Sequence, residues 1–223
     1  MEFTQAVGAR HSCRCFLPTP VDEATLRSLV DTARRTPSWG NTQPCRVWAA
    51  GGAAALAIRQ GLTELAGSGR SPEPEIPMPL SFDGELKRRY VEVGRSVFEV
   101  LGIGREDEEK RRAHRANNCN AFGAPTLVYL TVPEGQSSYA MLDAGAFINT
   151  FCLAATDRGL ATCVQATLAH YPEVVRRHLP IPDEERIVVG VALGYADAAA
   201  VINSFRSSRE PLEKLLTTKG FSG

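Results

Sequence analysis

The sequence lacks the features that mark several specialised classes of protein. No apolar run approaches about 20 residues, the length that a membrane-spanning helix requires. Residues 1–12 contain an early acid and no long apolar core, so no secretory signal is predicted and we expect a cytoplasmic protein. Neither sign of charge dominates, because 25 Lys and Arg balance 25 Asp and Glu. This balance argues against a nucleic acid or a membrane surface as a partner.

Residues that bind metals or form disulfides are also few and scattered. The four histidines and six cysteines lack the spacing of a metal site, so we predict no bound metal. Three of the cysteines lie in apolar stretches, which favours reduced thiols over disulfides. The Gly-Ile-Gly at 102–104 follows no predicted strand and lacks a third glycine, so it is not a dinucleotide-binding fingerprint. No arrangement of Ser, Cys or His indicates a catalytic triad or dyad.

What the sequence does contain is an alternation of helical and strand patterns over 223 residues. Apolar spacing and prolines predict helices at 2–9, between Asp22 and Pro37, and at 53–66, 83–101, 105–117, 138–158 and from Pro172. Runs rich in β-branched residues predict strands at 45–50, 125–132, 160–165 and 186–195. Strands that alternate with helices predict an α/β or α+β sandwich, and so few strands for this length suggest a small sheet covered by helices, in one domain spanning 1–223.

Two segments depart from this alternation. Residues 67–81 contain four prolines and are predicted to be irregular. With the two helices that follow, they form a helical excursion at about 67–120 rather than a second domain. The segment at about 196–223 is polar and has no obvious hydrophobic core of its own.

The first candidate site is the basic sequence RHSCR near the N-terminus. It brings Arg10, His11, Ser12 and Arg14 together at the end of a short predicted helix. Guanidinium groups suit phosphate, because a charge-assisted hydrogen bond contributes about 1.5–3 kcal/mol. A solvated basic patch is the alternative interpretation.

Two further segments carry polar side chains with an unusual composition. The loop PSWGNTQP at 37–44 surrounds a tryptophan with hydrogen-bonding residues, which suits a planar heterocycle but also fits a tight turn. Near the C-terminus, NSFRSSREPL at 203–212 contains Arg206 and Arg209. On its own, that segment is equally consistent with an exposed, solvated run.

Taken in order along the chain, these motifs resemble the FMN-dependent nitroreductase family. The ordered set is RHSxR, PSWxNTQP, Ala-Pro before a strand, RGLAT with a following Gln, ALGY on the last long strand, and NxFRxxRxPL. The resemblance spans nearly the whole chain, and the excursion before the Ala-Pro strand is similar to that of the nitrobenzoate reductase branch. It implies an α+β fold with a small mixed sheet covered by helices, in an intertwined homodimer that binds FMN at the interface. The C-terminal tail would be exchanged between chains, with the partner supplying its core.

The resemblance also implies which residues bind the phosphate and ribityl end of FMN. Arg10, His11 and Ser12 would hold this end of the cofactor. Arg209, helped by Arg206, would complete the phosphate clamp from the other end of the chain.

The same resemblance assigns residues to the flavin ring. Arg14 would lie near N1 and the C2 carbonyl, where a fixed cation stabilises the reduced flavin. The backbone amides of Ala166 and Thr167, beside Gln165, would face N5 and O4. No side chain would act as a catalytic group. The residues implied to pack on or bond to the ring from the partner chain are Pro37, Ser38, Trp39 and Asn41.

The implied chemistry is a two-electron, ping-pong hydride transfer through flavin N5 from NADH or NADPH to a nitroaromatic compound. The implied substrate-binding residues are Tyr90, Asn117, Asn120 and Phe122. Related enzymes have a lysine near the position of Asn120 that is absent here. The arginines of the excursion would suit an anionic aromatic acceptor, but a solvated helix balanced by the acids at 106–109 is the better explanation of them from the sequence. Two alternatives remain open: the same fold acting on a halogenated phenol, enone, quinone or flavin, and a flavin-binding protein without turnover.

Overall fold

The structure, a computed structural model, describes residues 1–79 and 81–221. Leu80, in the predicted excursion, and the last two residues of the predicted tail lie outside the described residues. The strands of the sheet are β1 Arg46–Gly51, β2 Thr126–Pro133, β3 Ala161–Gln165 and β4 Glu185–Gly194. They lie in the order β1-β2-β4-β3, and each neighbouring pair is antiparallel. The prediction of a mixed sheet is therefore wrong for the four strands of this chain. Among the described residues, the one parallel pairing is an isolated bridge between Ser12 and Thr162.

Among the described residues, seven α-helices lie close to their predicted positions, whereas the short α-helix in the tail was not predicted. The helices are α1 Phe3–Ala9, α2 Glu23–Ala33, α3 Gly52–Gly67, α4 Gly84–Val100, α5 Glu108–Cys119, α6 Ser138–Asp157, α7 Pro172–Arg176 and α8 Leu212–Leu215. The predicted cap of α2 is confirmed, because the Asp22 side chain accepts a hydrogen bond from the Thr25 N–H at 2.7 Å. Gly159 follows α6 with φ of 71°, a conformation that glycine adopts without strain. No helix among the described residues is both long and apolar enough to cross a membrane.

Helices cover both faces of the sheet, and β2 contributes to both cores. Leu127 and Tyr129 of β2 are buried with residues of α3 and α7, whereas Val128 is buried with residues of α2 and α6. This alternation is the period of two that strand geometry imposes. The sheet is therefore sandwiched between helices, and its ends and edges remain available for a site.

The proline-rich start of the excursion is held to the rest of the protein by polar contacts. The backbone N–H of Glu73 donates to the His170 carbonyl at 2.9 Å. The two oxygens of Glu75 bind the Arg176 guanidinium at 2.8 Å and the Ile187 N–H at 2.6 Å. The segment is irregular as predicted, yet the contacts of Glu75 fix it against α7 and β4.

The C-terminal tail corrects one prediction. Ile202 and Phe205 are 7% and 8% exposed and pack with Val97 of α4, so the first half of the tail has a small core within its own chain. Glu210 continues this attachment through the guanidinium groups of Arg88 and Arg89 at 3.1 and 2.9 Å. Beyond it, the apolar side chains are exposed; they are Leu212, Leu215, Leu216 and Phe221.

Candidate functional site

The basic segment at residues 10–14 runs beside the edge strand β3. The N–H of Cys13 donates to the Thr162 carbonyl at 2.9 Å, next to the parallel bridge between Ser12 and Thr162. These contacts fix the backbone, so Arg10 and Arg14 extend from an ordered base rather than from a free terminus. The sequence could not predict this backbone pairing, because the segment is too short to show a strand pattern.

Asn203 joins the C-terminal tail to this basic segment. Its Oδ1 accepts the Arg14 N–H at 2.8 Å, and its Nδ2 donates to the carbonyls of Cys15 and Asp197 at 2.8 and 2.9 Å. The side chain is 8% exposed, so these bonds are shielded from water. Asn203 was not predicted as a site residue. The one feature of the sequence that could have indicated Asn203 is its position as the first residue of the tail motif that contains Arg206.

The result of this attachment is a cavity of about 670 Å³ lined by basic groups from both ends of the chain. Its lining includes Arg10, His11, Ser12, Arg14, Arg206 and Arg209. The structure therefore brings together the two basic motifs that the sequence separates by about 190 residues and leaves them on one concave surface.

The charges in this cavity, which we call the arginine cavity, are not neutralised. Among the described residues, none of its four guanidinium groups forms an ion pair. The hydrogen bonds of Arg14, Arg206 and Arg209 instead end on nearby backbone carbonyls and a serine hydroxyl. The Nδ1–H of His11 donates to the Ala9 carbonyl at 2.8 Å, while its buried Nε2 has no hydrogen-bond partner among the described residues. Four convergent guanidinium groups without carboxylate partners among the described residues form a binding surface for an anion.

A second part of the site lies at the end of β3. The chain turns from Gln165 into a short 3-10 helix, Ala166–Ala169. The first N–H groups of a helix have no acceptor within it, and the N–H groups of Ala166 and Thr167 donate to no other backbone group among the described residues. Asn118 of α5 fixes this turn, since its backbone and side-chain oxygens accept from Gln165 Nε2 at 2.8 and 2.5 Å and its Oδ1 accepts from the Thr167 hydroxyl at 3.0 Å. Asn118 was also missed by the sequence analysis, which selected its neighbours.

The position of this turn depends on Gly190 of β4. A β-carbon at Gly190 would lie 2.4 Å from the Leu168 β-carbon, closer than atoms can pack. The glycine therefore allows the 3-10 helix to lie directly on the sheet. Its role is set by a contact across the fold, so the sequence alone could not reveal it.

The loop at 37–44 is held by a buried carboxylate. The Trp39 N–H lies 3.1 and 3.2 Å from the two oxygens of Asp143, which is 8% exposed. The Gln43 N–H donates to the Ser38 hydroxyl at 2.9 Å. Asn41 adopts the left-handed region with φ of 56°, and the Trp39 side chain remains 64% exposed. An exposed tryptophan on a conformationally fixed loop is typical of a contact surface.

This loop does not reach the arginine cavity in its own chain. Pro37 and Ser38 line a separate small cavity of about 120 Å³ beside α6. The two groups of residues assigned to one ligand from the sequence therefore lie at different surfaces of the chain. A second chain would be needed to bring them together.

The predicted substrate-binding residues have different surroundings. Tyr90 is 66% exposed, with its ring centroid 5.3 Å from that of Phe82. Asn120 accepts from Arg59 and donates to Asn117, both at 3.4 Å. Phe122 is only 5% exposed and belongs to the core, so its ring packs inside the protein rather than at an open rim.

The thiols give no sign of a reactive cysteine or a metal centre. All six cysteines are free. Burial raises the pKa of Cys163 to about 11, so this thiol stays protonated at neutral pH and is a poor nucleophile. Within the described part of the chain, no group of three or more metal-ligating side chains converges.

Comparison with known proteins gives a consistent result. The sequence model of the nitroreductase family matches residues 7–195. The chain is 31% identical to a 4-nitrobenzoate reductase of Pseudomonas putida, over 99% of this chain and 96% of that protein. It is 29% identical to the nitroreductase NfnB of Mycolicibacterium smegmatis, over 93% of this chain and 88% of that protein. The crystal structure of the FMN- and NADPH-dependent nitroreductase NfnB of Sphigopyxis sp. strain HMH superposes with a TM-score of 0.94, at 30% identity, covering 99% of this chain and all of that one.

Proposed function

This chain belongs to the nitroreductase family, and from that premise we propose that it is an FMN-dependent oxidoreductase that uses NADH or NADPH to reduce nitroaromatic compounds. Relatives that are similar over nearly their whole length are named for reduction of 4-nitrobenzoate, and one solved relative is FMN- and NADPH-dependent. The proposal depends on whether this chain's own residues suit FMN.

The arginine cavity is the observation that carries the proposal. A phosphate monoester has about −1.5 to −2 charges at neutral pH and three acceptor oxygens. The cavity offers, as donors, the Ser12 hydroxyl and four guanidinium groups that have no carboxylate partner among the described residues. This donor set fits the FMN phosphate, with Arg10 from one end of the chain and Arg206 and Arg209 from the other, and leaves Arg14 for the ring end.

The turn after β3 suits the ring end of the same cofactor. Bound FMN would supply hydride chemistry at N5, which no side chain here could provide. The N–H groups of Ala166 and Thr167 would donate to the ring edge. Asn118 would hold those amides in place through its bonds to Gln165 and Thr167. Arg14 would keep a fixed positive charge near the ring, favouring its reduced form.

We extend the proposal to a homodimer with exchanged tails. A groove of about 960 Å³ runs along the edge strand β1, between it and α2. An unpaired edge strand is a template for pairing with another chain. The tail beyond Glu210 presents Leu212, Leu215 and Phe221 with 63%, 72% and 83% exposure, so it has apolar surface to bury in such a groove. The same dimer would bring the loop of Trp39 to the partner's cofactor.

The first test is the visible spectrum of the purified protein, followed by anaerobic mixing with NADPH and NADH. We expect a yellow protein whose flavin absorbance bleaches with at least one donor and returns when a nitroaromatic compound is added. Recovery with a quinone or enone, but with no nitroaromatic compound, would assign another acceptor to the same fold. Failure to bleach with either donor would point to a flavin-binding protein without turnover and contradict the enzyme.

The phosphate assignment has its own variant. Arg10→Ala should weaken FMN binding about tenfold or more, because a charge-assisted hydrogen bond to phosphate is lost. Arg177→Ala removes an arginine from the end of α7, outside the arginine cavity, and should leave FMN occupancy unchanged. Full FMN retention in Arg10→Ala would contradict the proposed clamp.

A further inference from the structure

A second basic cavity lies on α5, outside the arginine cavity. It has a volume of about 480 Å³ and is lined by Arg105, Glu108, Arg111, Arg112 and Arg115. We call it the α5 basic cavity. Among the described residues, no carboxylate forms an ion pair with its four arginines; the ion pair of this helix joins Lys110 and Asp107 at 2.7 Å. One lining carboxylate therefore leaves an excess of positive charge.

The usual reason for a charged helix does not explain this cavity. Acidic residues at the start of a helix and basic residues in its last turn are favoured by the helix dipole. Glu108 and Glu109 do lie in the first turn of α5, but its last turn has no basic residue. Arg111, Arg112 and Arg115 share one face of α5 through spacings of three and four residues, and Arg105, from the turn before the helix, adds a fourth guanidinium group to that face.

The α5 basic cavity is connected to the proposed flavin site by the helix itself. Asn118 holds the turn after β3, and Arg115 and Arg111 precede it by three and seven residues on the same face. A helix rises about 1.5 Å per residue, so these positions lie roughly 4.5 and 10 Å along the axis from Asn118. Arg111 is held in place over the Phe98 ring at 4.2 Å.

His114 supports this connection from a different direction. Its ring lies between those of Phe98 and Phe122, with centroid distances of 5.5 and 6.1 Å. Burial lowers the pKa of His114, and the positive charges of Arg14 and Arg115 lower it further. The ring of Phe98 thus contacts both Arg111 of the α5 basic cavity and His114, which in turn contacts Phe122.

We propose that the α5 basic cavity binds the anionic end of the molecule that exchanges electrons with the flavin. This inference rests on the proposed function. The shared chemistry is a phosphate or carboxylate group. It would be carried either by the 2′-phosphate of NADPH or by an aromatic carboxylate acceptor. In both cases the reacting ring stacks on the flavin while the charged end of the same molecule binds at α5. The enzyme therefore binds a charged ligand more tightly than the neutral analogue of that ligand.

The test uses the full-length protein with Arg112 and Arg115 both changed to Gln, which leaves the stacked Arg111 intact. A control with Lys87 and Arg95 both changed to Gln removes the same number of positive charges from exposed positions on α4. Titration calorimetry measures binding of adenosine 2′,5′-bisphosphate against adenosine 5′-monophosphate, and of benzoate against benzyl alcohol. Stopped-flow bleaching with NADPH and NADH gives the corresponding kinetic preference.

We expect the double variant to bind one of the two anionic probes about tenfold more weakly or worse, with its neutral or less charged analogue unchanged. Loss for the bisphosphate assigns the cavity to NADPH, and loss for benzoate assigns it to the acceptor. If the double variant still contains flavin that NADPH or NADH can reduce, and its affinity for both probes is unchanged, the proposal for the α5 basic cavity is overturned while the proposed function stands. A colourless wild-type protein would count against the proposed function, whereas the calorimetric titrations would still report whether the cavity binds anions.

Discussion

The side chain of Asn203 accepts the backbone N–H of Arg14 at 2.8 Å and so joins the two ends of the chain at one cavity. Asn203→Ala would leave buried partners unsatisfied, at about 1–3 kcal/mol for each group. We expect a loss of roughly 2–3 kcal/mol in the free energy of unfolding and weaker FMN binding, measured by urea denaturation and flavin fluorescence.

A neighbouring serine provides the control for this prediction. Ser204 makes one exposed hydrogen bond to the Val201 carbonyl at 2.7 Å, so Ser204→Ala should change stability by less than about 0.5 kcal/mol. If Asn203→Ala retains FMN as well as Ser204→Ala does, the tail does not depend on this side chain for its position.

The close contact between Gly190 of β4 and Leu168 of the 3-10 helix can also be tested. Gly190→Ala would force Leu168 and the 3-10 helix Ala166–Ala169 away from the sheet. Overpacking of this kind costs about 1–3 kcal/mol, and the displaced amides of Ala166 and Thr167 should alter the flavin absorption spectrum and midpoint potential. Thermal denaturation and redox titration measure the two effects.

The matched control is Gly67→Ala at the end of α3. A β-carbon at Gly67 would have no neighbouring atom within 4 Å, so the substitution should be neutral or slightly stabilising. A spectrum of Gly190→Ala identical to that of the wild type would mean that the turn after β3 does not contact the flavin ring.

The fold was largely predictable because its signals are local. The cap at Asp22, the apolar spacing of the helices and the β-branched runs of β2 and β4 depend on neighbours in the sequence. The expected end of α2 at Pro37 was late: the helix ends at Ala33, and the N–H of Thr36 makes a turn by bonding to the Ala33 carbonyl at 3.0 Å.

The site was only partly predictable, because much of it depends on contacts between distant segments. The arginines were selected from motifs and from the family resemblance, and the structure brings them together in one cavity; their contact with FMN stays a prediction. Asn203, Asn118 and Asp143 were not selected, because an amide or carboxylate gains its role from partners that are 189, 47 and 104 residues away. The polar tail was expected to lack a core of its own, yet Phe205 is buried against α4 of the same chain.

The attachment of the tail to α4 predicts a dependence of stability on pH. Hydrogen bonds from Arg89 and Lys214 lower the pKa of Glu210 from 4.5 to about 2. The folded-state pKa lies below the unfolded one, so the stabilisation is present above about pH 4.5 and is lost as the pH falls towards 2. Arg88, Arg89, Lys214 and Glu85 face this carboxylate.

Glu210→Gln should therefore lower the Tm near pH 6 and have progressively less effect as the pH approaches 2. Paired thermal scans of the wild type and the variant, at constant ionic strength, measure the difference. Glu213→Gln on the adjacent exposed turn is the control, because Glu213 forms no ion pair among the described residues. A constant difference in Tm over this range would show that the ion pairs do not stabilise the folded tail.

Removal of residues 211–223 separates the two halves of the tail. The truncated chain keeps the contacts of Asn203 and Phe205 and the ion pairs of Glu210 with Arg88 and Arg89, all within one chain, and loses the ion pair of Glu210 with Lys214. It loses the exposed apolar residues that we propose to lie in the β1 groove of the partner, since a stable dimer must bury such surface. We expect weaker dimerisation, measured by light scattering across a dilution series, together with reduced FMN occupancy. The full-length variant Leu215→Asp, which keeps the chain length, should behave in the same direction. A truncated protein that remains dimeric at nanomolar concentration with full FMN would contradict tail exchange while leaving the arginine cavity as the FMN phosphate site.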